Sequence, residues 1–70
     1  MDKKLLEKLA KRIKELRKLY KYTQDDLSYK SGIARSTLGN IETAQNDIVF
    51  SKLNQLAKAF DMTLSEFLNF

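Results

Sequence analysis

The chain contains neither cysteine nor histidine. That double absence removes disulfide frameworks, zinc sites of the Cys/His type, Ser-His and Cys-His nucleophilic systems, and a histidine pH switch. Proline is also missing, and only two glycines occur, Gly32 and Gly39. No apolar run approaches the roughly 20 residues of a membrane span. The N-terminus opens Asp2-Lys3-Lys4 rather than with a charged stub and an apolar block, so no secretory signal is expected and the protein is expected to be cytoplasmic, without a membrane partner. Carboxylates remain for acid–base work, but they are scattered over the chain and receive no catalytic role. No metal, cofactor or small-molecule substrate is expected, and the chain does not read as an enzyme.

What is present suffices for one domain over residues 1–70. With 43% hydrophobic residues there is material for a core, yet a domain near this size buries only about 60% of its unfolded surface. Help from a partner subunit would fit that margin. The net charge of +4 is unevenly spread. Up to Lys21 nine bases face three acids, an excess of six, so the remainder is negative by two. Such polarity suits a polyanion approached from one side, although a lysine-rich helix face can equally be just solvated.

Between Leu5 and Tyr20, apolar residues fall at Leu6, Leu9, Ile13, Leu16 and Tyr20, in steps of three and four, with Leu5 and Leu19 widening the stripe. This pattern predicts an amphipathic helix. Thr23 followed by Asp26 forms a capping box, and Asp25 and Asp26 suit the positive end of a helix dipole, so a second helix is expected from Gln24 to about Ser31. Gly32 punctuates it. A third helix fits Arg35 to Thr43, with Leu38 and Ile41 inward and Arg35, Ser36, Thr37 and Asn40 outward. Residues 43–47 read as a loop. Phe50, Leu53, Leu56, Ala57 and Phe60 then recur at helical spacing, and Thr63-Leu64-Ser65-Glu66 opens a fifth helix through Phe67, Leu68 and Phe70. The expected class is all-α, with five short helices.

Within Gln24 to Glu42 several narrow demands are met together. Leu27 buries one helix, small Ser28 lets the next approach, Gly32 supplies the turn, and Ile33, Leu38 and Ile41 share a core. Two short helices crossing steeply over a tight turn form a helix-turn-helix, whose second helix projects its N-terminal side chains into the DNA major groove.

The residues Arg12-Ile13-x-x-Leu16-Arg17, Thr23-Gln24-x-x-Leu27, Gly32-Ile33-x-Arg35-Ser36-Thr37-Leu38-x-x-Ile41-Glu42 and Leu53-x-x-Leu56-Ala57-x-x-Phe60, then Leu64-x-x-Phe67-Leu68, resemble the phage-repressor-type, or XRE, helix-turn-helix family over most of the chain. The resemblance implies a lambda-repressor-like five-helix domain that binds double-stranded DNA and regulates transcription, commonly as a repressor. It implies that Gln24 donates to a DNA phosphate and braces the reading helix. It also implies that Thr23, Ala34, Arg35, Ser36, Thr37 and Asn40 form the DNA-facing set. Arg35 is the candidate for gripping guanine, with a phosphate contact as its competitor. Arg17 and Glu42 are implied to pair and to act structurally.

The sequence departs from the family at four places. Ala34 stands where a polar cap is usual, giving up about 1 kcal/mol. Gly39 lies inside the reading helix, at up to about 1 kcal/mol relative to alanine. Two readings stay open for it: a helix ordered only on DNA, or a close approach to the phosphate backbone. Ala44 replaces the usual glycine after the motif, and Ile48 a frequent proline, which leaves the loop conformation open.

One such unit touches few base pairs, so a homodimer on half-sites about 34 Å apart is expected. Residues 63–70 are the expected seam, through Leu64, Phe67, Leu68 and Phe70, with Phe60 a further candidate; packing of these residues against the chain's own core is the alternative. The family's compact members include phage and plasmid repressors, antitoxins and restriction-modification controllers. Two rivals remain: a protein-interaction module on the same fold, and a membrane-surface or acidic-partner peptide built on the basic first helix.

Overall fold

The computed structural model describes residues 2–70. These residues form five helices, α1 (Lys3–Tyr20), α2 (Gln24–Ser31), α3 (Arg35–Glu42), α4 (Phe50–Ala59) and α5 (Leu64–Phe67), and no strand. Three of the five begin at a side-chain cap. Asp2 accepts from the Leu5 amide at 2.8 Å. Thr23 and Thr63 each accept from the amide three residues on, and Asp26 and Glu66 reach back to the cap amides at 2.9 and 2.8 Å. Such boxes satisfy two of the donors that a helix start leaves orphaned.

Three helices also end alike. After α1, α3 and α4 the chain turns left-handed at Lys21 (φ 59), Ala44 (φ 55) and Asp61 (φ 55). In each case the amide of the following residue returns to the carbonyl five residues back: Tyr22 to Arg17, Gln45 to Asn40, and Met62 to Ala57. This is the Schellman closure, in which glycine is the usual left-handed residue. Here non-glycine residues hold it, at about 1 kcal/mol or more each. The glycine replaced by Ala44 has therefore been lost from the sequence but not from the backbone path, which keeps the conformation a glycine would take.

The core gathers Leu9, Ile13 and Leu16 from α1, Leu27 from α2, Leu38 and Ile41 from α3, and Leu53, Leu56 and Ala57 from α4, together with Ile33, Phe60 and Phe67. The stripe of α1 is narrower than its sequence pattern. Leu5 is exposed and Leu19 is 74% exposed, because periodicity marks a face but not how much of it finds a neighbour. Phe50, counted with the inward residues of α4, is also exposed. Helix α3 stops at Glu42, one residue before the expected Thr43, and α5 stops at Phe67, leaving Leu68 and Phe70 outside it.

A four-residue helix cannot persist by itself. The Arg12 guanidinium holds its far end, donating from Nε to the Phe67 carbonyl (3.0 Å) and from Nη2 to the Glu66 carbonyl (2.9 Å). A base that the sequence placed in the polycation stripe thus serves as a C-terminal cap. No helix among the described residues is long and apolar enough to cross a membrane.

Candidate nucleic-acid interface

Helices α2 and α3 meet over a turn closed by side chains as well as by backbone. Gly32 sits at φ 75, and its amide donates to the Ser28 carbonyl at 2.9 Å. The Ser28 hydroxyl donates to the Ile33 carbonyl at 2.6 Å, and the Ser31 hydroxyl accepts from the Ile33 amide at 3.2 Å. Small residues at 28 and 31 therefore do more than make room. They satisfy the turn's polar atoms where the chain passes into the core at Ile33.

Behind the turn lies a charged knot. Glu42, buried at the end of α3, accepts from Arg17 Nε through Oε2 and from Arg17 Nη2 through Oε1, both at 2.8 Å. Gln24 Nε2 donates to the same Oε1 at 3.1 Å, and Arg17 Nη1 caps the Tyr22 carbonyl at 3.1 Å. One carboxylate thus ties α1, α2 and α3 together. A bidentate guanidinium–carboxylate pair fixes geometry as well as charge. Removing one member would strand the other with its bonds unmade.

The opposite face of α3 is open. Arg35, Ser36 and Asn40 are exposed, and Thr37 is half-buried above Leu38. The cap position Ala34 offers no side-chain bond, so the first amides of α3 lack the capping acceptor that α1, α2 and α5 have. Arg35 is not loose, however. Its Nε lies 2.8 Å from Asp25 Oδ1 at the start of α2, with the two side chains 61% and 80% exposed. Asp25 thus borders the α3 N-terminus, while Gln24, next to it in α2, reaches Glu42 at the far end of α3.

Gly39 lies within α3 with no positive φ, and a Cβ added there would meet nothing within 4 Å. The fold does not require a glycine at this position. α3 is a regular helix from Arg35 to Glu42 through this glycine.

Electrostatically, Asp26 and Glu66 are both held below the ordinary carboxylate range, chiefly by the cap amides of Thr23 and Thr63 and then by their hydroxyls. Among the described residues no cluster of three or more potential metal ligands occurs.

The expected C-terminal seam is only partly available. Phe67 is fully buried against Phe60, their rings stacked at 6.3 Å, and Leu64 packs on the core. Phe67 and Phe60 are core residues with no surface to offer a second copy, and Leu64 is largely committed inward. What stays exposed is Leu68 and Phe70, the latter at 48%. With Leu5, Leu9 and Leu53 these line an apolar groove of about 290 Å³.

Sequence reasoning missed the Arg12 grip on α5, the Gln24–Glu42 bond and the Asp25–Arg35 pair. Asp25 carried a signal, as an acid in a first helical turn, but nothing local pointed across to α3.

The comparisons agree with this geometry. A helix-turn-helix family model matches residues 13–67. An HTH-type transcriptional regulator of Bacillus subtilis (strain 168), YobD, is 34% identical over 55 residues. That match takes in 79% of this chain but 49% of the relative, so the chain spans about half that protein's length. The restriction-modification controller protein C.AhdI from Aeromonas hydrophila superposes with a TM-score of 0.84 at 32% identity, over 89% of this chain and 94% of that one. The controller C.Esp1396I, as a tetramer on its natural 35 base-pair operator, gives a TM-score of 0.82 at 30% identity, over 91% and 88%. The chain belongs to the helix-turn-helix family, of the XRE type.

Proposed function

We propose that this chain is a sequence-specific, double-stranded-DNA-binding transcriptional regulator, not an enzyme, that lays α3 in the major groove and works as a homodimer in the cytoplasm. The observation that carries this reading is the outward row Arg35, Ser36, Thr37 and Asn40, backed by a buried carboxylate that locks α3 to α1 and α2. Arg35 reads a guanine, and Ser36, Thr37 and Asn40 contact bases or hold the backbone. Gln24 positions the unit. Its amide nitrogen carries two hydrogens, one directed at Glu42, which leaves the other for a phosphate. Thr23 and Ala34 border that phosphate path, Thr23 through its hydroxyl hydrogen, since its amide already donates to Asp26.

The apolar groove edged by Leu5, Leu68 and Phe70 is the dimer seam in this reading, in place of the buried Phe67. Within the family, the fit to two controller structures over nearly their whole length supports a controller-type regulator.

Fluorescence anisotropy on a duplex recovered by in-vitro selection tests the reading. Binding is expected to fall steeply with salt, as counterion release demands, and to exceed that of a scrambled duplex by roughly 10³ or more. Equal binding of selected and scrambled duplexes, or none even at low salt, would sink it.

A further inference from the structure

We propose that Asp25 is a positioning residue that makes Arg35 a reader of guanine rather than a phosphate clamp; the inference rests on the DNA-binding reading above. Asp25 Oδ1 approaches the guanidinium from its Nε side at 2.8 Å. That contact takes the Nε side of the planar guanidinium, and the far edge, between the two terminal nitrogens, faces away from it. Those nitrogens form the end-on edge of the fork, the edge that can meet guanine O6 and N7 together.

The pair contributes little to the fold. At 61% and 80% exposure such a contact adds little to stability in water. It stands instead at the junction of the α2 and α3 N-termini, on the side of the molecule that carries Gln24 and the outward residues of α3. A carboxylate so close to a docked polyanion is unfavourable by itself, and it weakens binding wherever its charge is not answered. When Arg35 turns end-on to a guanine, Asp25 keeps its partner at the Nε side. When Arg35 swings to a phosphate, Asp25 is left facing the backbone unpaired. The acid therefore penalises the nonspecific mode selectively, because both groups lose water on docking and their attraction strengthens.

The test is a double-mutant cycle of Asp25→Ala and Arg35→Ala, read as the ratio of affinities for the selected duplex and for one with the Arg35-dependent guanine replaced. Circular dichroism checks that each variant is folded. The wild-type ratio should fall in the range of a bidentate arginine–guanine contact, roughly 5- to 100-fold. Asp25→Ala should bring it to about threefold or less while raising affinity for random duplex. Asp25→Asn, which retains an acceptor for Nε, should recover part of it. In the Arg35→Ala background the same substitution should leave the ratio unchanged. A ratio undiminished in Asp25→Ala overturns the proposal. So does an Asp25→Ala effect of equal size in both backgrounds, which would make Asp25 a mere subtraction of charge. A wild-type chain that prefers no duplex sequence defeats the DNA-binding reading itself, an outcome distinct from either.

Discussion

Replacing Gly39 by alanine should stabilise this protein. The residue lies in the interior of an eight-residue helix, without a positive φ, and the added Cβ would touch nothing within 4 Å. Steric penalty and packing gain are therefore both near zero, and what remains is the backbone-entropy difference between glycine and alanine in a helix, about 0.8–1.0 kcal/mol. In a domain of this size 1 kcal/mol moves the melting temperature by about 4–8 °C. Thermal unfolding followed by circular dichroism at 222 nm should show that rise. Urea unfolding should show a higher midpoint at unchanged slope, since the surface exposed on unfolding is the same. A midpoint that stays put or falls would mean that the helix interior is not as open as the geometry has it, and the argument would be refuted. Operator affinity measured on the same variant separates the two uses of a glycine at this position. A stabler protein that binds less tightly would have lost a close approach from outside.

Other substitutions act through the same accounting of local geometry. Glu42→Ala should be severe, because it strands the Arg17 guanidinium and the Gln24 amide. A loss of about 3–5 kcal/mol from a total of roughly 4–10 should lower the melting temperature by more than about 12 °C. The apolar double replacement Arg17→Met with Glu42→Leu should regain part of that loss. Lys21→Gly should raise stability by about 0.5–1 kcal/mol in chemical denaturation, relieving a left-handed residue at an exposed position. Acid should loosen the helix starts. Asp26 and Glu66 hold their protons less tightly folded than unfolded, so their contribution is complete above the unfolded value near pH 4 and vanishes as pH falls through the lower folded one. The Asp26→Asn, Glu66→Gln variant should flatten the acid limb of a stability-against-pH curve.

What was legible in the sequence is what short-range chemistry dictates. Thr23 with Asp26, and Thr63 with Glu66, sit three residues apart, so the cap is nearly complete in the primary structure and both boxes form. Gly32 announces its turn for the same reason. The partners of Arg12 lie 54 and 55 residues away, and no periodicity carries that distance. Arg12 therefore read as one more base on a basic helix. Phe67 shows a different ambiguity. An apolar residue near a chain end has the same signature whether a second copy covers it or its own core does, and here the ring lies under Phe60. At Ala44 the side chain misled while the backbone did not, since a left-handed turn tolerates alanine at a moderate penalty. The family resemblance brought together the outward residues of α3, but it said nothing of Asp25, whose partner becomes visible only once α2 and α3 are set side by side.

The aromatic residues have a practical consequence. Tyr20 and Tyr22, at the end of α1 and just beyond it, lie 5.3 and 5.7 Å from the Phe60 ring, which in turn stacks on Phe67. The Tyr20 hydroxyl is fastened to the Phe60 carbonyl at 3.0 Å. Rings from the end of the first helix, the end of the fourth and the fifth thus share one asymmetric environment, while Tyr29 is 90% exposed. The chain has no tryptophan, so its near-ultraviolet dichroism and its ring-current-shifted proton resonances arise mainly from this one stack, against the weak background of the exposed Tyr29, Phe50 and Phe70. The protein carries an intrinsic optical gauge of whether its two ends are still clasped, readable without a label.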